Sequence, residues 1–429
     1  MPSSKSTRRG DPAAYTQKYL KRREAIIGTS ARLFNRDGLK GATLAEIAGD
    51  VGLLTHSITY YYRRKEDLAA ACLLTALETT RNVVLDATRQ SRPEDRIRSY
   101  VCGYADLLAE IATGTRDELV FFNDIRALTG SHARRVFDAY NDLFRSVRSL
   151  LPAGGSAEDR PSRNARAHLL LSLVNMMRAW ISRYEPSDYR PAAERMSAIL
   201  IDGLARSPKS WREAGAPELG WPRTAAARDV VPEAFLRAAT MMVNEQGYRG
   251  ASLDRIASSL NLTKGSFYHH YASKDELIIA CFERTFDVVR RMQSLAIERS
   301  PSGWARLCMS ARELVRFQLS DQGPLLRITA WGALPIGQRK DAQAGLNRLT
   351  ERFGRFIVEA MQQGEVRVLD ASIAAQLVST MVNAASELER WAPGLTAENA
   401  VRLYVRPLFA GLLSTESSTR ANSAPRTRA

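Results

Sequence analysis

Gly247–Leu277 reads GYRGASLDRIASSLNLTKGSFYHHYASKDEL. Its punctuation sets out two short helices and a turn, then the start of a third helix. Ser252 supplies an N-cap hydroxyl, and Leu253, Ile256, Ala257 and Leu260 follow at helical spacing. Asn261-Leu262 breaks that pattern as a turn. Thr263 can cap the next helix, and Ser273-Lys-Asp-Glu276 has the spacing of a capping box that opens the one after. The middle helix is short, and opposite Phe267 and Tyr271 it carries Lys264, Gly265, Ser266, Tyr268 and His269. Hydroxyls, an amine and imidazoles on one face suit a helix that enters a DNA major groove, where such groups reach phosphates and base edges. A solvated surface helix would carry the same face.

The motif G-x5-L-x2-IA-x2-L-x-L-TKGSFYHHY-x2-K-x2-L, running from Gly247 to Leu277 without a gap, resembles the DNA-binding domain of the TetR family of bacterial regulators. That resemblance implies that Thr263, Lys264, Ser266, Tyr268 and His270 face DNA. It also implies that Gly265 lets the backbone approach a phosphate, and that Lys274 holds another phosphate beside helix N-terminal amides. With Ser252 and His269, these residues make up the candidate DNA-contacting set of this stretch.

The same unit occurs earlier, 209 residues upstream. Gly38, Gly41, Ala42, Leu44, Ile47, Ala48, Leu53, Ser57, Tyr62, Lys65 and Leu68 each recur identically in 247–277, again with no gap. Each copy follows an amphipathic helix, with Ile26, Leu33 and Phe34 in one and Phe235, Ala239 and Val243 in the other. Each is followed by more than a hundred residues of helical patterning. Val174-Asn175 and Gly203-Leu204 recur, at an offset of 208, as Val382-Asn383 and Gly411-Leu412. The expected fold is therefore all-α, in two tandem units. Each unit is an N-terminal three-helix helix-turn-helix domain followed by a helical bundle that, by the resemblance, binds a ligand and dimerises.

The expected boundaries are a basic flexible arm at 1–19, a first helix-turn-helix domain at 20–68 and its bundle at 69–206. A linker at 207–228 carries Trp211 and Trp221. A second helix-turn-helix domain at 229–277, a second bundle at 278–413 and a disordered tail at 414–429 complete the chain.

The first copy keeps the apolar side and changes the reading face. Leu54, Thr55, His56 and Thr59 stand where Thr263, Lys264, Gly265 and Tyr268 stand in the second. Thr43-Leu-Ala-Glu46 is itself a capping box. Two readings stay open. In one, the first copy reads a different half-site through Thr43, Thr55, His56, Ser57, Thr59, Tyr60 and Tyr61, with Arg63, Arg64 and Lys65 on phosphates. In the other it is only scaffold. The cluster Arg63–Lys65 and the seven Lys or Arg in residues 1–23, against Asp11 alone, favour the first.

At 429 residues the chain is long enough for several cores. Its net charge of +15 suits a polyanionic partner. No apolar stretch of the sequence reaches the roughly 18 residues of a membrane span, and the N-terminus lacks a signal-peptide core. The expectation is a cytoplasmic, nucleoid-associated protein with no membrane partner. Cys72, Cys102, Cys281 and Cys308 form no C-x-x-C pair and no metal cluster with histidine, so they read as small core residues, or as a redox-sensing pair. No cofactor and no metal are expected, and His269-His270 are too close in sequence to face one metal. There is no G-x-S-x-G, P-loop or H-E-x-x-H motif, and an enzyme is not expected. Trp304, Phe317, Trp331, Phe121 and Phe122 are as readily core as pocket, so no ligand contact is assigned.

The expectation for function is thus a transcriptional regulator, a repressor by the family's habit, that binds a double-stranded operator and is released by an unidentified small-molecule effector. Self-association takes place either between the two halves of one chain, as a pseudo-dimer on an asymmetric operator, or between chains as a homodimer. The alternative is an architectural or adaptor protein that binds DNA without sensing a ligand.

Overall fold

A computed structural model describes residues 17–414, except 123, 124, 126, 127, 129, 153–159, 208–210, 212–229, 263, 264, 266, 267, 269, 329, 331–333 and 335. Among the described residues there is no β-strand; a single isolated bridge joins Ala205 to Val366.

The first half runs α1 (Gln17–Gly41), α2 (Leu44–Asp50), α3 (Thr55–Tyr61), α4 (Lys65–Ala87), α5 (Pro93–Ala112), α6 (Gly130–Ser149), α7 (Arg160–Met176) and α8 (Tyr189–Asp202). After it come α9 (Val230–Gly250), α10 (Leu253–Ser259), α11 (Lys274–Arg299), α12 (Gly303–Gln318), α13 (Ile336–Gln362) and α14 (Ala371–Ala384). The short α15 (Leu388–Trp391) and a π-helical turn, Val401–Val405, precede α16 (Arg406–Ala410). Because α1 already begins at Gln17, the last residues of the expected arm, Gln17–Tyr19, are helical.

The helices start and stop for local reasons. Gly38 in α1 and Gly247 in α9 sit at φ 74° and 71°, so each nominal helix is two segments joined at a glycine that tolerates the left-handed region. Gly52 and Asn261, also 209 positions apart, turn the chain at φ 64° and 56°. After those turns Leu53 donates its N–H to Ala48 O at 2.8 Å, and Leu262 to Ala257 O at 3.0 Å. Thr43 closes a complete capping box with Glu46. At Ser273 the box is shared out: its hydroxyl accepts from Glu276 N–H, while the Glu276 carboxylate accepts from Ala272 N–H.

In the core, α4 packs on α1, α5 and α6, and α5 on α8. In the second half α11 packs on α9 and α12, and α13 bridges α12 and α14. Ile47 and Ile256 are wholly buried at equivalent places, each worth roughly 1.5–3 kcal/mol of apolar burial. α4 is long and apolar enough to cross a membrane by length and composition, the single such helix among the described residues. It instead buries Leu68, Leu73, Leu77 and Val84 inside the protein.

The two halves meet through α7, α8, α14 and α16. Their last helices end against each other at Gly203 (φ 80°) and Gly411 (φ 98°). A Cβ on Gly203 would lie 2.5 Å from Phe409 O, and one on Gly411 would lie 2.4 Å from Ile201 O. At an offset of 208 these are the same contact made in both directions. Across the crossing Ala205 N–H donates to Phe409 O and Leu412 N–H to Leu200 O, each at 2.9 Å. Arginines from opposite halves then cap the two helix ends. Arg166 donates to Leu412 O and Ser414 O, and Arg367 donates to Ala198 O and Gly203 O. Trp211 is buried, with its ring 4.8 Å from that of Phe409.

Candidate nucleic-acid interface

α3 is seven residues long, too short to be stable alone, and is held by its apolar side. Ile58 is fully buried and Tyr62 nearly so, with Leu53 packed beside them. The opposite side presents Thr55, His56, Thr59 and Tyr60 to solvent, with Ser57 and Tyr61 half-buried. Leu54 occupies the N-cap position without a side-chain cap bond and is 67 % exposed; Tyr60 is 77 % exposed.

Several of these groups are already engaged. Tyr61 stacks on Tyr19 of α1 at 4.9 Å, and Tyr60 meets both rings edge-on. The Thr59 hydroxyl donates back to His56 O at 2.7 Å, and that of Thr43 is held in the capping box. Lys65 donates to Ala42 O at 2.9 Å, which ties the start of α4 to the end of α1. Arg63 and Arg64 are exposed just ahead of it.

In the second stretch Ser252 caps α10 in an extended conformation, without a side-chain cap bond. Gly265, Tyr268 and His270 are helical and exposed, Tyr268 by 51 %. The His270 ring lies 6.0 Å from that of Phe235 on α9. Lys274 is half-buried at the first position of α11. Thr263, Lys264, Ser266 and His269 fall outside the described residues. Burial pushes the Tyr271 hydroxyl up to about 12, so this ring stays a neutral anchor under the exposed face. The core of this stretch (Phe235, Ala239, Val243, Ile256, Leu277) forms a cluster of its own, separate from the main core that takes in α1–α3.

The thiols are structural. Cys72 of α4 and Cys281 of α11, 209 apart, point at carbonyls of α1 and α9, Ile27 O at 3.7 Å and Leu236 O at 3.5 Å. Burial raises all four thiols, Cys281 to about 12, which disfavours the thiolate a redox sensor needs. Among the described residues no group of His, Cys, Asp and Glu is placed to hold a metal.

Sequence reasoning missed a pair of asparagines. Asn35 on α1 donates to Leu119 O at 3.0 Å and accepts from Phe121 N–H at 2.8 Å. Asn244 on α9 donates to Leu325 O at 2.9 Å and accepts from Arg327 N–H at 3.0 Å. Each clasps its helix to the backbone of the segment that follows α5 or α12. The signal was present: Asn35 and Asn244 are identical at the 209 offset, three residues before Gly38 and Gly247. Of the aromatics considered for a pocket, Trp304 and Phe317 are core, Trp331 lies outside the described residues, and Phe121 and Phe122 line a cavity.

Residues 235–281 match the family model described as bacterial regulatory proteins, tetR family. The chain is 21 % identical over 148 residues to the Transposon Tn10 TetC protein of Escherichia coli, covering 34 % of this chain and 74 % of that one. It is 39 % identical over 49 residues to the biofilm operon icaADBC HTH-type negative transcriptional regulator IcaR of Staphylococcus epidermidis, covering 11 % and 26 %. Among solved structures it is similar to the TetR family transcriptional regulator PfmR from Thermus thermophilus, at 23 % identity and TM-score 0.36, covering 42 % of this chain and 98 % of that one. Over residues 235–281, then, this chain is similar to the tetR family of bacterial regulatory proteins.

Proposed function

We propose that the chain is a DNA-binding transcriptional repressor with two helix-turn-helix heads, acting as an intrachain pseudo-dimer on an asymmetric operator and released by a small-molecule effector. It is not an enzyme, and as a nucleoid-associated regulator it acts in the cytoplasm. The observation that carries the reading is the matched segment 235–281, whose exposed face holds Gly265, Tyr268 and His270. Ser252, Thr263, Lys264, Ser266, His269 and Lys274 complete the second reading head. Thr43, Thr55, His56, Ser57, Thr59, Tyr60, Tyr61 and Lys65, with Arg63 and Arg64, form the first.

The reciprocal crossing at Gly203 and Gly411 supports self-association within one chain, because each half's glycine lies directly against the other half's backbone. Effector release is then a difference in ligand affinity between two arrangements of the heads. A second reading has its own support. With Leu54 exposed at the cap and Tyr61 stacked on Tyr19, the first head has the look of a scaffold that contributes little base reading.

Selection of bound fragments from genomic DNA by the full-length protein separates the readings. Two different half-sites are expected; an inverted repeat of one half-site means a homodimer that uses only the second head. No enriched site means an adaptor. Tyr268→Ala is expected to weaken specific binding by about 1–3 kcal/mol, and unchanged affinity would remove the second recognition helix from the proposal.

A further inference from the structure

We infer that the effector site is a single cavity at the seam between the halves, shaped for one small aromatic anion per chain, and that both heads are clasped to its wall. The inference rests on the effector-released reading above and specifies the site and the ligand class.

The cavity has a volume of about 320 Å³ and takes its walls from both halves. Phe121, Phe122, Phe137 and Tyr140 come from the first half, and Trp391 from the second. Flat apolar walls select a ring. The second half's own interior cavity, beside Phe282 and Phe353, is only about 40 Å³. Two other clefts, of about 450 and 410 Å³, carry no aromatic side chain among their described lining residues, which leaves the seam cavity as the one of these four walled by rings from both halves.

Charge selects an anion. Among the described residues that line the cavity, Arg178, Arg327 and Arg390 stand with Glu387 as the one carboxylate. Glu387 is committed to Arg327 in an ion pair. Arg178 lies 3.9 Å over the Phe121 ring and donates to Leu119 O and Val120 O, with no carboxylate in ion-pair range among the described residues. Arg390 lies 4.7 Å over the Phe137 ring and 5.4 Å over the Trp391 ring and adds a second guanidinium to the aromatic wall.

Arg178 Nε, Asn175 Oδ1 and Trp391 Nε1 are lining polar atoms buried without a hydrogen-bond partner, and the last two call for one donor and one acceptor. The comparison across the 208 offset is informative. Asn383 Oδ1 accepts from Ile328 N–H at 2.9 Å, while Asn175, its counterpart, is left open. An aromatic acid that also carries an N–H or O–H donor satisfies both: its donor serves Asn175 and its acidic oxygens serve Trp391 and the arginines.

The walls are joined to the heads. Phe121 is held by Asn35 of α1, and Arg327 by Asn244 of α9, with Arg327 also donating to Asn244 O at 2.6 Å. A ligand that moves these two wall segments therefore moves both first head helices together, each through one asparagine.

The test uses 1-anilinonaphthalene-8-sulfonate, an aromatic anion with one N–H donor, on the full-length chain without DNA. One molecule per chain is expected. Arg390→Glu should weaken binding by about tenfold or more, and Ser172→Tyr, which fills the cavity, should abolish it, both with unchanged thermal unfolding. Several equivalent sites, or affinity indifferent to both variants, would overturn the cavity assignment. For the coupling, hydrogen exchange in residues 30–40 and 239–249 is expected to change when the probe binds. Asn35→Ala should silence the first segment and Asn244→Ala the second, each measured at saturating probe. Exchange that changes in neither segment would overturn the clasp. Since no DNA is present, either failure is distinct from a failure of operator binding.

Discussion

A buried amide side chain that both donates to and accepts from the backbone is costly to remove, because truncation leaves two main-chain groups without partners. Asn244 is such a residue, with Leu325 O and Arg327 N–H at its two ends. Asn244→Ala is expected to lower stability by about 1–3 kcal/mol for the groups it orphans, read from urea unfolding. Asn35→Ala should cost less, since that site is only partly buried and its Nδ2 also serves the half-buried Glu118. Equal and negligible losses would mean that water replaces both clasps. At this scale the sequence was readable where a residue acts on its near neighbours, as in the Thr43–Glu46 box, and mute where it reaches across the fold. Nothing within a few positions of Asn244 announces Leu325; only the identity of Asn35 and Asn244 at the repeat offset carried that information.

Elements show the same division. Helical spacing and caps located α2 and α10 from the sequence, since each is fixed by its own buried apolar pair and its own turn, and the repeat located α3. The ends of α8 and α16 are different, because their glycines are required by each other. Gly203→Ala would place a Cβ 2.5 Å from Phe409 O at φ 80°. It is expected to destabilise by at least about 1–3 kcal/mol, as an overpacked core does. Gly411→Ala should do the same, and the double variant should cost less than the sum because both side chains wedge open one crossing. Full additivity would mean that the two glycines answer to separate constraints. On α7, His168 is buried with its Nε2 2.9 Å from Ala384 O of α14. Burial holds its pKa below the ordinary value, a shift partly offset by Glu387 and by the Ala384 carbonyl. Below about pH 6.5 the unfolded chain takes up a proton that the folded one refuses. Its contribution to stability is therefore complete above that pH and lost as pH falls towards the folded pKa. His168→Gln, which keeps a donor for Ala384 O, should flatten the thermal-unfolding midpoint against pH in that window. A variant whose profile runs parallel to wild type would place the acid sensitivity elsewhere.

For the whole molecule, the repeat makes sense of features that single elements leave unexplained: paired thiols, paired clasps, paired positive-φ turns and a helix crossing that reads the same from either side. The repeat is imperfect where function would be expected to diverge. The stretch matched by the family model keeps an exposed Tyr268 and a core cluster of its own, whereas the upstream copy is merged into the main core and has Leu54 at the N-cap of α3. Electrostatics separate a reading head from a silent one, because each phosphate neutralised releases counterions and steepens the salt dependence by about 0.9 in log–log slope. If the first head lies on DNA, Arg63→Ala with Arg64→Ala should shrink that slope by about 2 and weaken all sequences alike. The same double variant should leave the sequence preference set by Tyr268 intact, because phosphate contacts position a protein without reading bases. A slope unchanged from wild type would detach the first head from DNA altogether, and the net charge of +15 would then have to act through the second head and the rest of the surface.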